Sequence, residues 1–116
     1  MRVEIRGRRI EVTDQLRAHG ERSLAFALAR FGMRIESVTV YLVDVDGPRG
    51  GVDKCCRIDV KLRPAGRVFV EEAASGLHTA LDRAAGRVGR SVGRKLRREQ
   101  SRRLDPCQWR TGVAEA

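Results

Sequence analysis

The sequence predicts an α+β fold whose elements follow the order β-α-β-β-β-α. Alternating apolar residues indicate one strand at the start of the chain and three more between residues 35 and 72. Two longer segments carry apolar residues at intervals of three and four, as amphipathic helices do. Because the last three strands follow one another without a helix, we expect a four-stranded sheet with both helices packed on one face.

The first strand is predicted over residues 1–6, where Val3 and Ile5 share one face, with a turn at residues 7–9. Thr13 or Asp14 is expected to cap the first helix, since both residue types satisfy free N–H groups there. The helix should run to about residue 31 and end at Gly32. Its expected core side consists of Leu16, Leu24, Ala27, Leu28 and Phe31.

Three strands are predicted over residues 35–45, 54–63 and 67–72. A glycine-rich loop at residues 46–51 separates the first two, and the turn at residues 64–66 joins the last two as a hairpin. In the middle strand, alternation directs Cys56, Ile58, Val60 and Leu62 inward, and Arg57, Asp59, Lys61 and Arg63 outward. Phe69 of the last strand is also expected to point outward.

The final helix is predicted over residues 75–103 and carries most of the positive charge. It holds nine basic and two acidic residues, which is seven of the nine net positive charges of the chain. Arg83, Arg87, Arg90, Arg94 and Arg97 recur at steps of four and three, so they share one helix face, and Arg98 lies beside them. The apolar residues of the helix fall on the opposite side.

This basic face has two interpretations. A charged helix face is usually only solvated, but such faces generally mix both signs because i,i+4 pairs of opposite charge stabilise a helix. Here like charges are stacked, which favours an anionic partner such as a nucleic acid backbone. Glycines at positions 86, 89 and 93 weaken the helix, or else allow close approach to the sheet or to RNA; the sequence leaves both readings open.

Composition limits the remaining possibilities. The chain has 116 residues, enough for one modest domain, and a pI of about 10.9. The charged first residues and the lack of a long apolar run predict a cytoplasmic protein without a membrane partner. Cys55, Cys56 and Cys107 have no metal-binding spacing, and only His19 and His78 could assist them, so we expect no metal, no disulfide and no cofactor.

Three stretches of the sequence resemble the ribosome hibernation-promoting factors, also called ribosome-associated inhibitor or ribosomal subunit interface proteins. They are residues 3–17 (VEIRGRRIEVTDQLR), residues 35–42 (IESVTVYL) and residues 69–82 (FVEEAASGLHTALD). The resemblance covers residues 1–103, which we expect to form the domain. Residues 104–116 contain Pro106 and Trp109 with little apolar pattern, and are predicted to be a flexible tail.

The resemblance implies a fold similar to double-stranded-RNA-binding domains. It also implies binding to the small ribosomal subunit and its rRNA at the subunit interface, in the channel for mRNA and tRNA, which silences or protects idle ribosomes. The rRNA-facing surface of the family is carried here by Arg83, Arg87, Arg90, Arg94, Lys95, Arg97 and Arg98, with Arg8 and Arg9 as weaker candidates.

The sequence also departs from the family. Gly76 and His78 occupy positions where an acidic residue and a tyrosine are usual, and the dimerisation domain of long-form members has no counterpart, so the short form is expected. An enzyme is not expected, because a P-loop and metal-ligand clusters are missing. Two other hypotheses stay open: a general RNA-binding protein without ribosome specificity, and a protein-binding transcription modulator that acts through its open sheet face, where Arg57, Lys61, Arg63 and Phe69 are expected.

Overall fold

The computed structural model describes residues 2–44 and 54–104, with side chains up to residue 99. Its elements are β1 (Arg2–Arg8), α1 (Asp14–Leu28), a 3-10 helix (Ala29–Arg34), β2 (Ile35–Asp44), β3 (Lys54–Leu62), β4 (Arg67–Ala74) and α2 (Leu77–Leu104). The predicted α+β class and element order are confirmed. The predicted loop at residues 46–51, Cys107 and the predicted tail beyond Leu104 lie outside the described residues.

The four strands form one mixed sheet in the order β1-β2-β3-β4. β1 pairs in parallel with β2, because α1 connects them as a crossover, whereas β2, β3 and β4 pair in antiparallel fashion. Both helices cover the same face, and the other face is open. Val38, Val40 and Leu42 of β2 and Cys56, Ile58, Val60 and Leu62 of β3 are buried beneath the helices, as their alternation predicts.

Several predicted boundaries are wrong. β4 continues to Ala74 instead of ending at residue 72, and α2 begins at Leu77 instead of residue 75. β1 continues to Arg8, and the left-handed turn conformation falls on Arg9 (φ 61°). α1 ends at Leu28, and its continuation is the 3-10 helix, inside which Gly32 adopts φ 49°. The tighter winding lets the chain turn from α1 directly into β2, while Phe31 packs against the core beside Gly93. The predicted cap is confirmed, because Thr13 Oγ1 accepts from the Leu16 N–H at 3.1 Å.

α2 contributes its apolar face to the core through Ala80, Leu81, Ala84, Ala85, Val88 and Val92, all of which are buried. The small residues bring the helix axis close to the sheet and to α1. Within the described part of the chain, neither helix combines the length and the apolar character that crossing a membrane requires.

Two glycines of α2 allow the helices to cross closely. A Cβ on Gly89 would lie 2.9 Å from the backbone oxygen of Ala27 in α1, and one on Gly93 would meet Arg30 and Phe31. The close approach is therefore to α1 at Gly89 and to the 3-10 helix at Gly93, rather than to the sheet. Gly86 differs, since its Cβ would meet only a guanidinium nitrogen of Arg90 at 3.6 Å, which is an ordinary contact.

This difference predicts opposite effects of two alanine substitutions on stability. Gly89→Ala should lower the free energy of unfolding by about 1–3 kcal/mol, because the added methyl group forces α1 and α2 apart. Gly86→Ala should raise it by up to about 1 kcal/mol through helix propensity alone. Urea unfolding followed by far-ultraviolet circular dichroism measures both, and equal effects at the two positions would contradict the crossing geometry.

The adjacent cysteines lie on opposite faces of β3, as predicted. Cys56 is fully buried, whereas Cys55 is partly exposed on the open face. Burial, and to a lesser extent the neighbouring Cys55, raises the pKa of Cys56 to about 12. The thiol is therefore neutral in the folded protein throughout the physiological range.

The buried thiol predicts a loss of stability in alkali. An unfolded cysteine has a pKa of about 8.5, so the unfolded state loses this proton first. Below that pH the contribution of Cys56 is fully present, and it should then decline by about 1.4 kcal/mol per pH unit as the pH rises toward 12. Urea unfolding between pH 8 and pH 10.5 should show a steeper decline in wild type than in Cys56→Val. Cys55→Val, as the control, should keep most of the wild-type decline, because burial is the larger cause of the raised pKa of Cys56.

Candidate nucleic-acid interface

The predicted row of arginines lies on the exposed side of α2. We define the arginine row as Arg83, Arg87, Arg90, Arg94, Arg97 and Arg98, all of which are exposed. The row extends about 22 Å along the helix, at about 1.5 Å per residue. Burial of the opposite, apolar face in the core fixes the rotation of α2 and so directs the row outward.

The first two arginines of the row are bound to the edge of the sheet. Arg83 donates to the Ala73 carbonyl oxygen at 3.3 Å. Arg87 donates to the Glu71 carbonyl oxygen at 3.2 Å and to the Glu72 carboxylate at 2.6 Å. β4 is an edge strand, and these bonds satisfy backbone acceptors that would otherwise face solvent. Arg83 and Arg87 therefore have a structural role that their spacing did not reveal.

The remaining four arginines have no ion-pair partner among the described residues. Among the described residues, no carboxylate lies within ion-pair distance of Arg90, Arg94, Arg97 or Arg98, and the one polar contact is from Arg94 to the Ser91 hydroxyl at 3.4 Å. Stacked like charges repel one another by a few tenths of a kcal/mol per pair. A polyanion would remove this repulsion, and guanidinium groups bind phosphate through paired N–H donors.

The other predicted site residues lie elsewhere. Lys95 is half-buried, and its Cε lies 2.9 Å from the position of a Cβ on Gly66, so it covers the β3–β4 turn rather than joining the row. Arg8 lies on the open sheet face, and Arg9 lies in the turn after β1. The nine predicted residues therefore do not form one continuous surface.

A polar cluster connects the helices near the start of α2. The Asp82 carboxylate oxygen Oδ1 lies 2.8 Å from His19 Nε2 and accepts from the Ser23 hydroxyl at 3.0 Å. The rings of His19 and His78 are 4.6 Å apart. In a hydrolytic triad the imidazole lies between hydroxyl and carboxylate, whereas here the carboxylate lies between the other two. The cluster therefore fixes α1 against α2 and does not activate the serine.

One enzyme motif in the sequence is explained by its place in the structure. Residues 89–93 (GRSVG) match the G-x-S-x-G pattern of the hydrolase nucleophile elbow. That elbow requires a sharp turn from a strand into a helix. Residues 89–93 instead lie inside α2, where Gly89 faces α1 and Gly93 faces the 3-10 helix. The two glycines of the motif are therefore explained by the packing of the helices.

The open sheet face differs from the arginine row in the pairing of its charges. Glu4 pairs with Arg6, Glu36 with Lys61, Asp59 with Arg67 and Glu71 with Arg57. A shallow depression of about 540 Å³ is lined by Arg6, Gly7, Arg8, Tyr41, Leu42, Val43, Cys55, Arg57 and Glu71. Arg57 also lies over the ring of Phe69, 5.1 Å from its centre. This mixed surface is less suited to a polyanion than α2 is.

Comparison with known proteins identifies the family. The sequence profile described as sigma 54 modulation protein / S30EA ribosomal protein matches residues 3–103. The chain belongs to this family. The Protein Y N-terminal domain from Thermus thermophilus is 33% identical with a TM-score of 0.67, over 81% of this chain and 98% of that domain.

A second solved structure shares the fold. The ribosomal subunit interface protein from Coxiella burnetii has a TM-score of 0.68 at 14% identity, over 82% of this family member and 97% of the Coxiella chain. A search of curated protein sequences gave no significant match. The family predicted from the three sequence stretches is therefore confirmed, and the fold agrees with it.

The different surroundings of Arg87 and Arg90 predict different effects on stability. Arg87→Ala should lower the free energy of unfolding by about 0.5–1.5 kcal/mol, because it leaves Glu72 and the β4 edge without a donor. Arg90→Ala removes the same charge from the same helix without breaking such bonds and should change stability by less than about 0.5 kcal/mol. Urea unfolding at low ionic strength makes the comparison, and equal losses would contradict an edge role for Arg87.

Proposed function

We propose that this family member is a non-enzymatic translation regulator that binds the small ribosomal subunit at the subunit interface. In this proposal it occupies the mRNA and tRNA channel in the cytoplasm, silences or protects idle ribosomes, and needs no metal or cofactor. The main support is the set of four arginines, Arg90, Arg94, Arg97 and Arg98, on one face of α2 without carboxylate partners among the described residues.

The arrangement suits binding by shape and charge rather than by base sequence. Contacts from guanidinium groups to phosphates are largely independent of sequence and weaken as salt displaces the protein. A rigid helix is well suited to such contacts, since its buried side fixes the spacing of the charges. Selectivity for the ribosome would come from the shape of the rRNA cleft that accepts the helix.

The comparisons support a ribosomal target for the protein. One relative is named for the interface between ribosomal subunits, and the family description includes a ribosomal protein. Binding to RNA in general would need only the charges, so competition between ribosomes and bulk RNA separates the two hypotheses.

The sheet face favours a second candidate, a protein partner. Phe69 is 53% exposed, and the nearby depression combines Tyr41 and Val43 with paired charges. Mixed, partly apolar surfaces of this kind are common in protein interfaces. A transcription modulator acting through this face would depend on Phe69 and not on the arginine row.

Reversing two charges of the arginine row should abolish ribosome binding. Arg94→Glu with Arg98→Glu replaces two phosphate-binding groups by carboxylates, so we expect a loss of at least about tenfold in co-sedimentation through a sucrose gradient. Wild-type protein should remain with the small subunit or the ribosome despite excess tRNA. Its binding should also weaken as salt is raised.

A matched variant controls for the change in net charge. Arg2→Glu with Arg63→Glu makes the same charge change at two exposed positions outside α2, and neither has an ion-pair partner among the described residues. It should retain ribosome binding. Equal losses of ribosome binding in both variants would show that binding depends on net charge alone. Loss of binding in Phe69→Ala alone would favour the sheet face.

A further inference from the structure

A groove of about 350 Å³ runs between α1 and α2 on the outer side of the helical layer. Its lining includes Ser23, Phe26, Arg30, Asp82, Gly86 and Arg90. The groove exists because the glycines of α2 carry no side chain where the two helices meet. It adjoins the arginine row, since Arg90 belongs to both.

Phe26 is the most exposed large apolar side chain of the described residues, at 89%. A single exposed apolar residue is ordinary in itself. This ring, however, lies at the rim of the groove, away from the buried stripe formed by Leu16, Leu24 and Leu28 of α1. One face of the ring is therefore available to a flat partner.

Two guanidinium groups, those of Arg30 and Arg90, line the groove, and a third, that of Arg97, lies beside Arg30. Nη2 of Arg30 and Nη1 of Arg97 lie 3.3 and 3.6 Å from the position of a Cβ on Gly93, so these two groups are close together. Nη1 of Arg90 lies 3.6 Å from the corresponding position on Gly86. None of the three has a carboxylate partner in the described part of the chain, and Arg30 contacts only the ring of Phe31, at 4.9 Å.

The far end of the groove offers an acceptor. Asp82 Oδ1 is engaged by His19 and Ser23, whereas Oδ2 has no partner among the described residues. An aspartate oxygen accepts hydrogen bonds from the amino groups on base edges. The groove thus combines an aromatic face, a cationic rim and one acceptor.

We propose that the groove between α1 and α2 binds an unpaired nucleotide of single-stranded RNA, with the base stacked on Phe26 and phosphates held by Arg30, Arg90 and Arg97. A duplex keeps its bases stacked inside and offers none to Phe26. An apolar protein segment would have to cover three guanidinium groups without supplying a carboxylate, which is unfavourable. The inference rests on the proposed function and adds a contact with a base to contacts with phosphates.

Phe26→Ala tests the proposal, with Met33→Ala as the matched control. Met33 is also a large exposed apolar residue, at 82%, but it does not line the groove. The probe is a fluorescent oligoadenylate of about eight nucleotides, compared at one salt concentration with an RNA duplex of similar length. Phe26→Ala should weaken oligoadenylate binding by about 5- to 20-fold, the range that loss of one stacked base allows.

The controls should change little. Phe26→Ala should alter duplex binding by less than about twofold, because phosphates alone carry that interaction. Met33→Ala should leave both affinities unchanged. Both side chains are exposed, so circular dichroism should show folded proteins.

A second measurement uses Phe26→Trp in a Trp109→Phe background, which removes the natural tryptophan. Oligoadenylate should quench its fluorescence, and the duplex should not.

Three results would overturn the proposal. They are unchanged oligoadenylate affinity in Phe26→Ala, an equal loss for the duplex, or dissociation of a dimer by Phe26→Ala in sedimentation, which would make the groove a contact between copies. If the oligoadenylate experiments fail while the protein still co-sediments with ribosomes, only the proposed contact with a base is wrong and the proposed function stands. Conversely, binding of oligoadenylate that depends on Phe26, without ribosome binding, keeps the groove and removes the proposed function.

Discussion

The close crossing of α1 and α2 determines where nearly every charged group of the helical layer lies. Gly89 allows α2 to approach the backbone of Ala27, and Asp82 holds His19 and Ser23 of α1 at the other end of the contact. The buried face of α2 then leaves its arginines a single outward direction. A rotation of α2 by one position would bury charge, which costs far more than the helix contacts provide.

The open face of the sheet and the exposed side of α2 differ in how their charges are balanced. Four cations of the sheet face, Arg6, Arg57, Lys61 and Arg67, pair with carboxylates on the same or the neighbouring strand. On α2 the two acidic residues do not pair with the arginine row. Asp82 binds α1 instead, and Glu99 binds Arg34 at 3.0 Å. Positive charge is thereby concentrated on one side of a small domain, where it raises the local concentration of polyanions.

Much of this arrangement could be predicted from periodicity, because burial imposes it. The order of the elements, the inward residues of β3 and the outward face of α2 all follow from apolar spacing. Contacts between distant segments could not be predicted that way. The bonds of Arg83 and Arg87 to β4, the position of Lys95 over the β3–β4 turn and the role of Gly89 depend on tertiary geometry. The exposure of Phe26, by contrast, could be predicted from the sequence, since this residue falls outside the apolar stripe of α1.

The bonds from Arg83 and Arg87 to β4 also bear on how the protein behaves at high concentration. An uncovered edge strand is a template on which a second chain can add its own strand, and such addition leads toward aggregates. With the carbonyls of Glu71 and Ala73 occupied, sheet extension at this edge requires the loss of bonds already made. The opposite edge, β1, carries four charged side chains, Arg2, Glu4, Arg6 and Arg8, which discourage the addition of a further strand. The same basic side chains that face solvent thus protect both edges of the sheet from further strand pairing.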